Sequence, residues 1–252
     1  MAIRAGRGLG QYSGVARALE RVGERWALLI VRDLLAGPRR YSDLKSGLPR
    51  IPTNILSDRL KELQESGVVR RVPTVRGGYE LTAFGRGLEP VVVALERWGW
   101  SALGDLAEGE VLTADALAMA LRAAFRADAA AELPPTEYVL HVADMSVSAL
   151  VVGRGLDVVP VGPGALPQPR RSVPDVAPEA VLELAVEPSG FRDLLTGLPG
   201  AVAVKGPPHG VTILDGGSAL LERFRLTFRI EPVAPPAGVT DADATGDAAS
   251  VA

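Results

Sequence analysis

The side chains with most to offer chemically lie in one stretch, Ile51–Val72, IPTNILSDRLKELQESGVVRRV. Leu56, Leu60 and Leu63 repeat at i, i+4 and i+7 and so share one face of a helix. Thr53, Asn54, Ser57, Asp58 and Lys61 fall on the other face. Small donors and acceptors near the start of a short helix, followed by an Arg-rich strand, suit insertion into a DNA major groove. The same residues would also serve as the solvated face of an ordinary helix. The flanking segments decide between the two.

Other chemistry is poorly provided for. With no cysteine in the sequence, disulfides, thiolate nucleophiles and cysteine metal sites are excluded. His141 and His209 are far apart and form no spaced cluster of metal ligands. There is no Ser-centred nucleophile elbow and no Gly-x-x-x-x-Gly-Lys phosphate cradle. The paired carboxylates Asp241 and Asp243 lie in a low-complexity tail. The expectation is a non-enzyme with no metal and no cofactor.

The elements that would position the reading face follow from the apolar pattern. Tyr12–Val22 reads as a helix carrying Val15, Leu19 and Val22, and Glu24–Ala36 as a second with Trp26, Leu29, Ile30 and Leu34 as its core residues. Gly37-Pro38 breaks that helix. Arg39 and Arg40 open a short helix over Tyr41–Ser46, and a fourth runs from Thr53, as N-cap, to Ser66. Val68–Val72 and Tyr79–Leu81 read as strands joined by a tip that carries Arg76. Thr82 caps a last helix reaching Trp98, in which Pro90 should make a kink. Four helices, a two-stranded wing and a helix make a winged helix-turn-helix.

Charge divides the chain in two. Residues 1–105 hold 17 Arg and Lys against 11 Asp and Glu, and residues 106–252 hold 10 against 19. A basic half fits a polyanion partner, which the acidic half would repel. No run of about 18 apolar residues is present, and MAIRAGRGLGQYSG lacks the apolar core of a secretory signal. A cytoplasmic protein without a membrane partner is expected.

Gly14-Val-Ala-Arg-Ala-Leu, Trp26-Ala-Leu-Leu-Ile, Gly37-Pro-Arg-Arg-Tyr-Ser-Asp-Leu, Ile51-Pro-Thr-Asn-Ile-Leu-Ser-Asp-Arg-Leu, Tyr79-Glu-Leu-Thr and Gly85-Arg-Gly-Leu-Glu-Pro together resemble the HxlR-type branch of MarR-like transcriptional regulators. The resemblance covers residues 10–100. It implies a homodimer on a palindromic DNA operator, joined through Tyr12–Val22 and Leu88–Trp98. It makes Tyr41–Ser46 and Thr53–Ser66 the two helices of the helix-turn-helix. Thr53, Asn54, Ser57 and Asp58 become candidates for base edges, and Arg40, Arg59, Lys61, Arg71 and Arg76 candidates for phosphates. Some of these arginines would alternatively pair with Asp43, Asp58 or Glu62. Several members of that family look like oxidant sensors with a cysteine just before the Val-Ala-Arg segment. Ser13 stands there in this chain, which excludes thiol-based sensing.

Residues 101–112 read as a connector and 113–230 as a second, α+β domain. Thr113 caps an Ala-rich helix to about Ala127, with Leu117, Leu121, Ala124 and Phe125 inward. Strands are expected at Glu137–Val142, Ser146–Val152, Leu156–Val161, Ala180–Val186, Ala201–Lys205 and Gly210–Leu214, in a mostly antiparallel sheet. Helices are expected after Ser189 and over Gly217–Arg225, and Gly162–Pro178 reads as a loop exposing Arg170 and Arg171. Leu182–Gly197 with the closing Leu220-Leu-Glu-Arg-Phe helix resembles the sterol-carrier-protein fold, in which a sheet and its helices enclose an apolar tunnel. That resemblance implies a hydrophobic small-molecule effector, with Leu140, Leu150, Leu184, Phe191 and Leu195 lining the cavity. Residues 231–252 have the composition of a disordered tail. Three readings stay open: a regulator modulated by such an effector, a constitutive regulator whose second domain supports the dimer, and a hydrophobic-ligand carrier with vestigial DNA binding.

Overall fold

The computed structural model describes residues 8–73, 77–104, 106–161, 173, 176–197 and 207–231. Expectations for Arg76, for Arg170 and Arg171, for a strand at Ala201–Lys205 and for the tail beyond residue 231 lie outside the described residues. Among the described residues no helix is long and apolar enough to cross a membrane.

The first half runs α1 (Gly14–Val22), α2 (Ala27–Leu35), β1 (Arg39–Arg40), α3 (Tyr41–Gly47), α4 (Thr53–Glu65), β2 (Val69–Val72), β3 (Gly78–Leu81), α5 (Ala83–Arg86) and α6 (Glu89–Gly99). Ser13 caps α1, its hydroxyl accepting from the Ala16 N–H, and Thr82 caps α5 through the Gly85 N–H. Ile30 and Leu34 of α2, Leu44 of α3, and Leu56, Leu60 and Leu63 of α4 meet Val69 and Leu81 of the wing in one core. The chain leaves α4 through Gly67 at φ +76° and turns into the wing. Gly85 lets α5 seat on the base of the wing: a Cβ there would lie 2.1 Å from the Val68 carbonyl oxygen.

Four expectations are corrected here. Leu29 of α2, expected in the core, is exposed; in α1 only Ala16 and Val22 are buried, while Val15 and Leu19 face outward. Helical periodicity shows that residues share a face, not that this face is covered within one chain. Pro90 does not kink a long helix: α5 ends at Arg86, and Pro90 lies in the first turn of α6, where its missing N–H is no loss. Thr53 is the first helical residue, and Pro52 occupies the cap position of α4. The wing sheet has three strands, because Arg39–Arg40 pairs with Gly78–Tyr79 in the order β1-β3-β2.

The second half runs α7 (Ala114–Ala124), α8 (Ala127–Ala130), β4 (Thr136–Val142), β5 (Met145–Val152), β6 (Gly155–Val161), β7 (Ala180–Val186), α9 (Pro188–Thr196), β8 (Val211–Asp215) and α10 (Gly217–Thr227). Its sheet has the order β6-β5-β4-β7-β8 and is antiparallel except for the pair β4 and β7. Alternation puts Tyr138, Leu140 and Val142 of β4, Val147 and Ala149 of β5 and Leu182 and Leu184 of β7 on one face. They pack with Leu117 and Leu121 of α7, Leu194 and Leu195 of α9, and Phe224 of α10. The Tyr138 ring meets those of Phe224 and Phe228 edge-on, with centroids 5.4 Å apart in each pair.

The expected lining of an apolar cavity is not brought together. Leu140, Leu184, Phe191 and Leu195 are core residues packed against their neighbours. Leu150 lies opposite Glu137 in the register and faces the other side of the sheet. The register that puts Leu140 and Leu184 on the inner face puts Leu150 on the outer one. The Ala-rich helix ends at Ala124, and Phe125 instead forms a bridge to Phe228. α7 serves both halves: Leu117 and Leu121 enter the second core, while Met119 enters the first.

Candidate nucleic-acid interface

Leu56, Leu60 and Leu63 anchor α4 so firmly that its opposite face has one fixed presentation to solvent. Thr53, Asn54, Ser57, Asp58 and Lys61 are exposed along that face. Asn54 and Asp58 make no side-chain hydrogen bond among the described residues, so their polar atoms are available to a partner. The Ser57 hydroxyl donates to the Thr53 carbonyl at 3.1 Å, and the Tyr41 hydroxyl donates to the same oxygen at 2.9 Å. Tyr41 of α3 thus pins the first turn of α4 and sets the crossing of the two helices. Asp43 accepts from the Arg40 N–H at 2.9 Å, which fixes the start of α3 while the Arg40 side chain stays exposed.

The cations differ in availability. Lys61 extends into solvent, with Glu65 4.0 Å away. Arg59 is held between Glu62 at 2.6 Å and Glu24 at 3.3 Å, with its side chain largely covered, so it links α4 to the start of α2. Arg70 pairs with Glu80 across the wing at 2.7 Å. Arg71 lies 5.0 Å over the Tyr79 ring, a contact that orders the guanidinium without neutralising it. Arg40, Lys61 and Arg71 are therefore the cations free of carboxylate pairing closer than 4.0 Å among the residues expected to reach phosphates and described in the structure.

Behind this surface lies a buried polar junction that the sequence reading missed. Arg39 of β1 meets Asp115 of α7 through two contacts, Nη2 to Oδ1 at 2.5 Å and Nε to Oδ2 at 3.3 Å. Asp33 of α2 is fully buried beside them; its Oδ1 pairs with Arg32 at 2.8 Å and its Oδ2 has no partner. Gly47 closes the junction, since a Cβ there would stand 3.0 Å from Asp33 Oδ2 and 3.9 Å from Asp115 Oδ2. Burial pushes the Asp33 carboxyl up to about 7; Asp115 adds to the rise, and Arg32 and Arg39 oppose it. Burial likewise raises Glu96 of α6, whose carboxylate accepts from the Trp100 indole N–H at 3.1 Å. One signal for the junction was present in the sequence: Asp33 falls at i+3 from Ile30 and directly before Leu34, on the apolar stripe of α2.

A further link joins the halves near α3 and α4. Arg50, before α4, donates to the Gly109 carbonyl at 3.0 Å. Arg97 of α6 donates to the Ala123 carbonyl at 2.6 Å, and Arg122 of α7 pairs with Glu89 of α6 at 3.3 Å. β1, the turn before α4, and α6 are thus each tied to residues 109–124.

Residues 21–106 match the family described as HxlR-like helix-turn-helix. The chain is similar to YvaP of Bacillus subtilis, described as an HTH-type transcriptional regulator, at 40% identity over 86 residues, covering 32% of this chain and 80% of YvaP. It is also similar to an HTH-type transcriptional regulator of Mycobacterium tuberculosis H37Rv at 47% identity over 89 residues, 34% of this chain. That match spans 56% of the mycobacterial protein, a little over half its length. Among solved structures, quinone-bound YodB of Bacillus subtilis aligns at 32% identity over 34% of this chain and 93% of that one, with a TM-score of 0.31. The redox regulator HypR aligns at 31% identity, over 35% and 92%, with a TM-score of 0.33.

Proposed function

Because the chain belongs to the HxlR-like helix-turn-helix family through residues 21–106, we propose that it is a transcriptional regulator that reads a palindromic DNA operator as a homodimer. The single observation that carries the reading is α4, a helix with three buried leucines behind an exposed row of Thr53, Asn54, Ser57, Asp58 and Lys61. Asn54 is the base reader of choice, since an amide can both donate to and accept from one adenine edge. Thr53, Ser57 and Asp58 flank it. Arg40, Lys61, Arg71 and Arg76 approach phosphates on either side. Arg59 acts as a structural link rather than a phosphate ligand, because two carboxylates already hold it.

Dimerisation is supported by apolar surface that one chain leaves uncovered. Val15 and Leu19 lie on the outer face of α1, with Tyr12 just before it, and Val91, Leu95 and Trp98 on that of α6. Leu28, Leu29, Val92, Leu95, Trp100 and Leu103 border a shallow groove between α2 and α6. A second copy offering its own α1 and α6 stripes would cover these surfaces and set the spacing of the two α4 helices.

The second domain is read as α+β and sterol-carrier-like, which a five-stranded sheet carrying its helices on one face supports. Its coupling to the DNA-reading half runs through α7, which shares the Arg39–Asp115 pair with β1 and the Glu89–Arg122 pair with α6. A small-molecule effector acting there would shift operator affinity by its differential binding to two arrangements of this junction. The cluster of buried apolar side chains between sheet and helices favours, as a second reading, a constitutive regulator whose second domain braces the first.

Selection of genomic fragments by the purified protein, with and without a hydrophobic cell extract, tests both readings. Enrichment of a palindrome that is lost or altered with extract supports the effector-responsive regulator. Enrichment indifferent to extract supports the constitutive one. No enriched sequence in either arm refutes sequence-specific DNA reading.

A further inference from the structure

The outward face of the five-stranded sheet carries a pocket of about 370 Å³, lined by Glu137, Ser148, Leu150, Asp157, Val159 and the chain segment 176–178. The register explains its composition. Asp157 of β6, Leu150 of β5 and Glu137 of β4 lie on one rung, each opposite the next. With strands about 4.8 Å apart, the two carboxylate-bearing residues stand roughly 10 Å from each other with leucine between them. Val159 and Ser148 form the adjacent rung, and Pro178 borders the rim.

The two acids differ in what satisfies them. Glu137 Oε1 accepts from the Ser148 hydroxyl at 2.5 Å. Asp157 is only 7% exposed, lines the pocket, and has no hydrogen-bonding or ionic partner among the described residues. A carboxylate removed from water in this way calls for a cation or a donor to compensate it. The nearby polar side chains do not supply one: His141 is engaged by Ser146 and Glu183, each at 2.7 Å. Arg154 pairs with Asp128 at 2.7 Å. The pocket thus has acidic walls, an apolar floor and a volume within the range of small-molecule sites.

We propose that this outward pocket binds a small organic cation, an ammonium group carried on a compact apolar body, with Asp157 and Glu137 meeting the charge and Leu150 and Val159 the body. The ligand class differs from the neutral hydrophobe that a tunnel within the core would take. That such a cation is also an effector rests on the effector-responsive reading above; its binding does not.

The experiment uses the full chain and three amines charged at neutral pH: benzylamine, phenethylamine and tryptamine. Calorimetric titration is run beside benzyl alcohol and phenylacetate as uncharged and anionic counterparts. The expected result is one-to-one binding of at least one amine, at least tenfold weaker binding of the counterparts, and at least tenfold loss in Asp157→Asn. Glu137→Gln, at the more exposed wall, gives the same reading if Asp157→Asn fails to fold. No saturable binding of any amine up to millimolar concentration overturns the proposal. So does equal binding of benzyl alcohol, or unchanged binding in the folded variants. Binding that emerges only in Arg170→Ala/Arg171→Ala overturns it as well, because the chain's own arginines would then be the occupants. Operator affinity is measured on the same samples. Amine binding that leaves it unchanged sinks the effector role and keeps the site, whereas absent binding beside intact operator affinity sinks the site alone.

Discussion

Asp33 should make the protein less stable as pH rises through the range where most proteins are indifferent. Its carboxyl is fully buried, with one oxygen unpaired, and its pKa is raised from 3.8 to about 7. Below about pH 4 the acid is neutral in the folded and unfolded states alike and contributes nothing. Between about 4 and 7 the unfolded chain releases its proton while the folded chain keeps it, so each pH unit costs up to about 1.4 kcal/mol. Above about 7 both states are ionised and the penalty is complete, about 4 kcal/mol in all. Asn at this position keeps the shape and removes the charge, and its amide oxygen can still accept from Arg32, whose side chain is only 15% exposed, so that the weakened pairing costs about 1 kcal/mol. Asp33→Asn should therefore be more stable than the parent by about 1–3 kcal/mol at pH 8, and close to it or weaker at pH 5. Urea unfolding, followed by circular dichroism at half-unit steps from pH 5 to 8.5, reads both chains. The reasoning is refuted if parent and variant show parallel pH profiles, or if Asp33→Asn is weakened more at pH 8 than at pH 5.

The remaining predictions concern the junction, the reading helix and the dimer. Asp115→Ala strands Arg39 in a buried site and should cost about 3–5 kcal/mol, whereas Arg39→Met/Asp115→Leu should recover most of it. If the double variant is stable yet binds operator less tightly, the pair positions β1 and α3; unchanged binding would confine it to stability. Asn54→Ala should cost about 1–3 kcal/mol at one operator base and relax the choice there; an equal loss on all sequences would make it no base reader. Arg71→Ala should weaken binding to every duplex and lower the salt slope by about one, which a salt titration of affinity measures directly. Val15→Glu/Leu19→Glu should leave the monomer fold intact, since both side chains are exposed, and should shift sedimentation toward the monomer. An unchanged sedimentation profile would show that α1 is outside any interface.

How much was legible in the sequence can be judged residue by residue. The i, i+4, i+7 leucines placed α4 and its solvent face without aid, because a helix period and a strong apolar contrast leave one solution. The hairpin of the wing, the order of the first four helices and the alternating strands of the second domain followed from equally local rules, whereas the third wing strand and the break between α5 and α6 did not. Tertiary structure decided what local rules leave open. Leu29 was expected beside Ile30 and Leu34 in the core yet is exposed, because an apolar pattern is silent on what covers it. Pro90 could mark a kink or a helix start, and only the break after Arg86 chose between them. Leu150 and Leu184 looked like walls of one cavity, but pairing register turned them to opposite sides of the sheet. Arg39 and Asp115 stand 76 residues apart, and Asp33 joins them only because α2, β1 and α7 converge. The sequence by itself determined the exposed polar row of α4, since one short segment contains Thr53, Asn54, Ser57, Asp58 and Lys61. The interdomain junction and the acidic pocket were decided by the fold, since each is assembled from elements that local pattern cannot bring together.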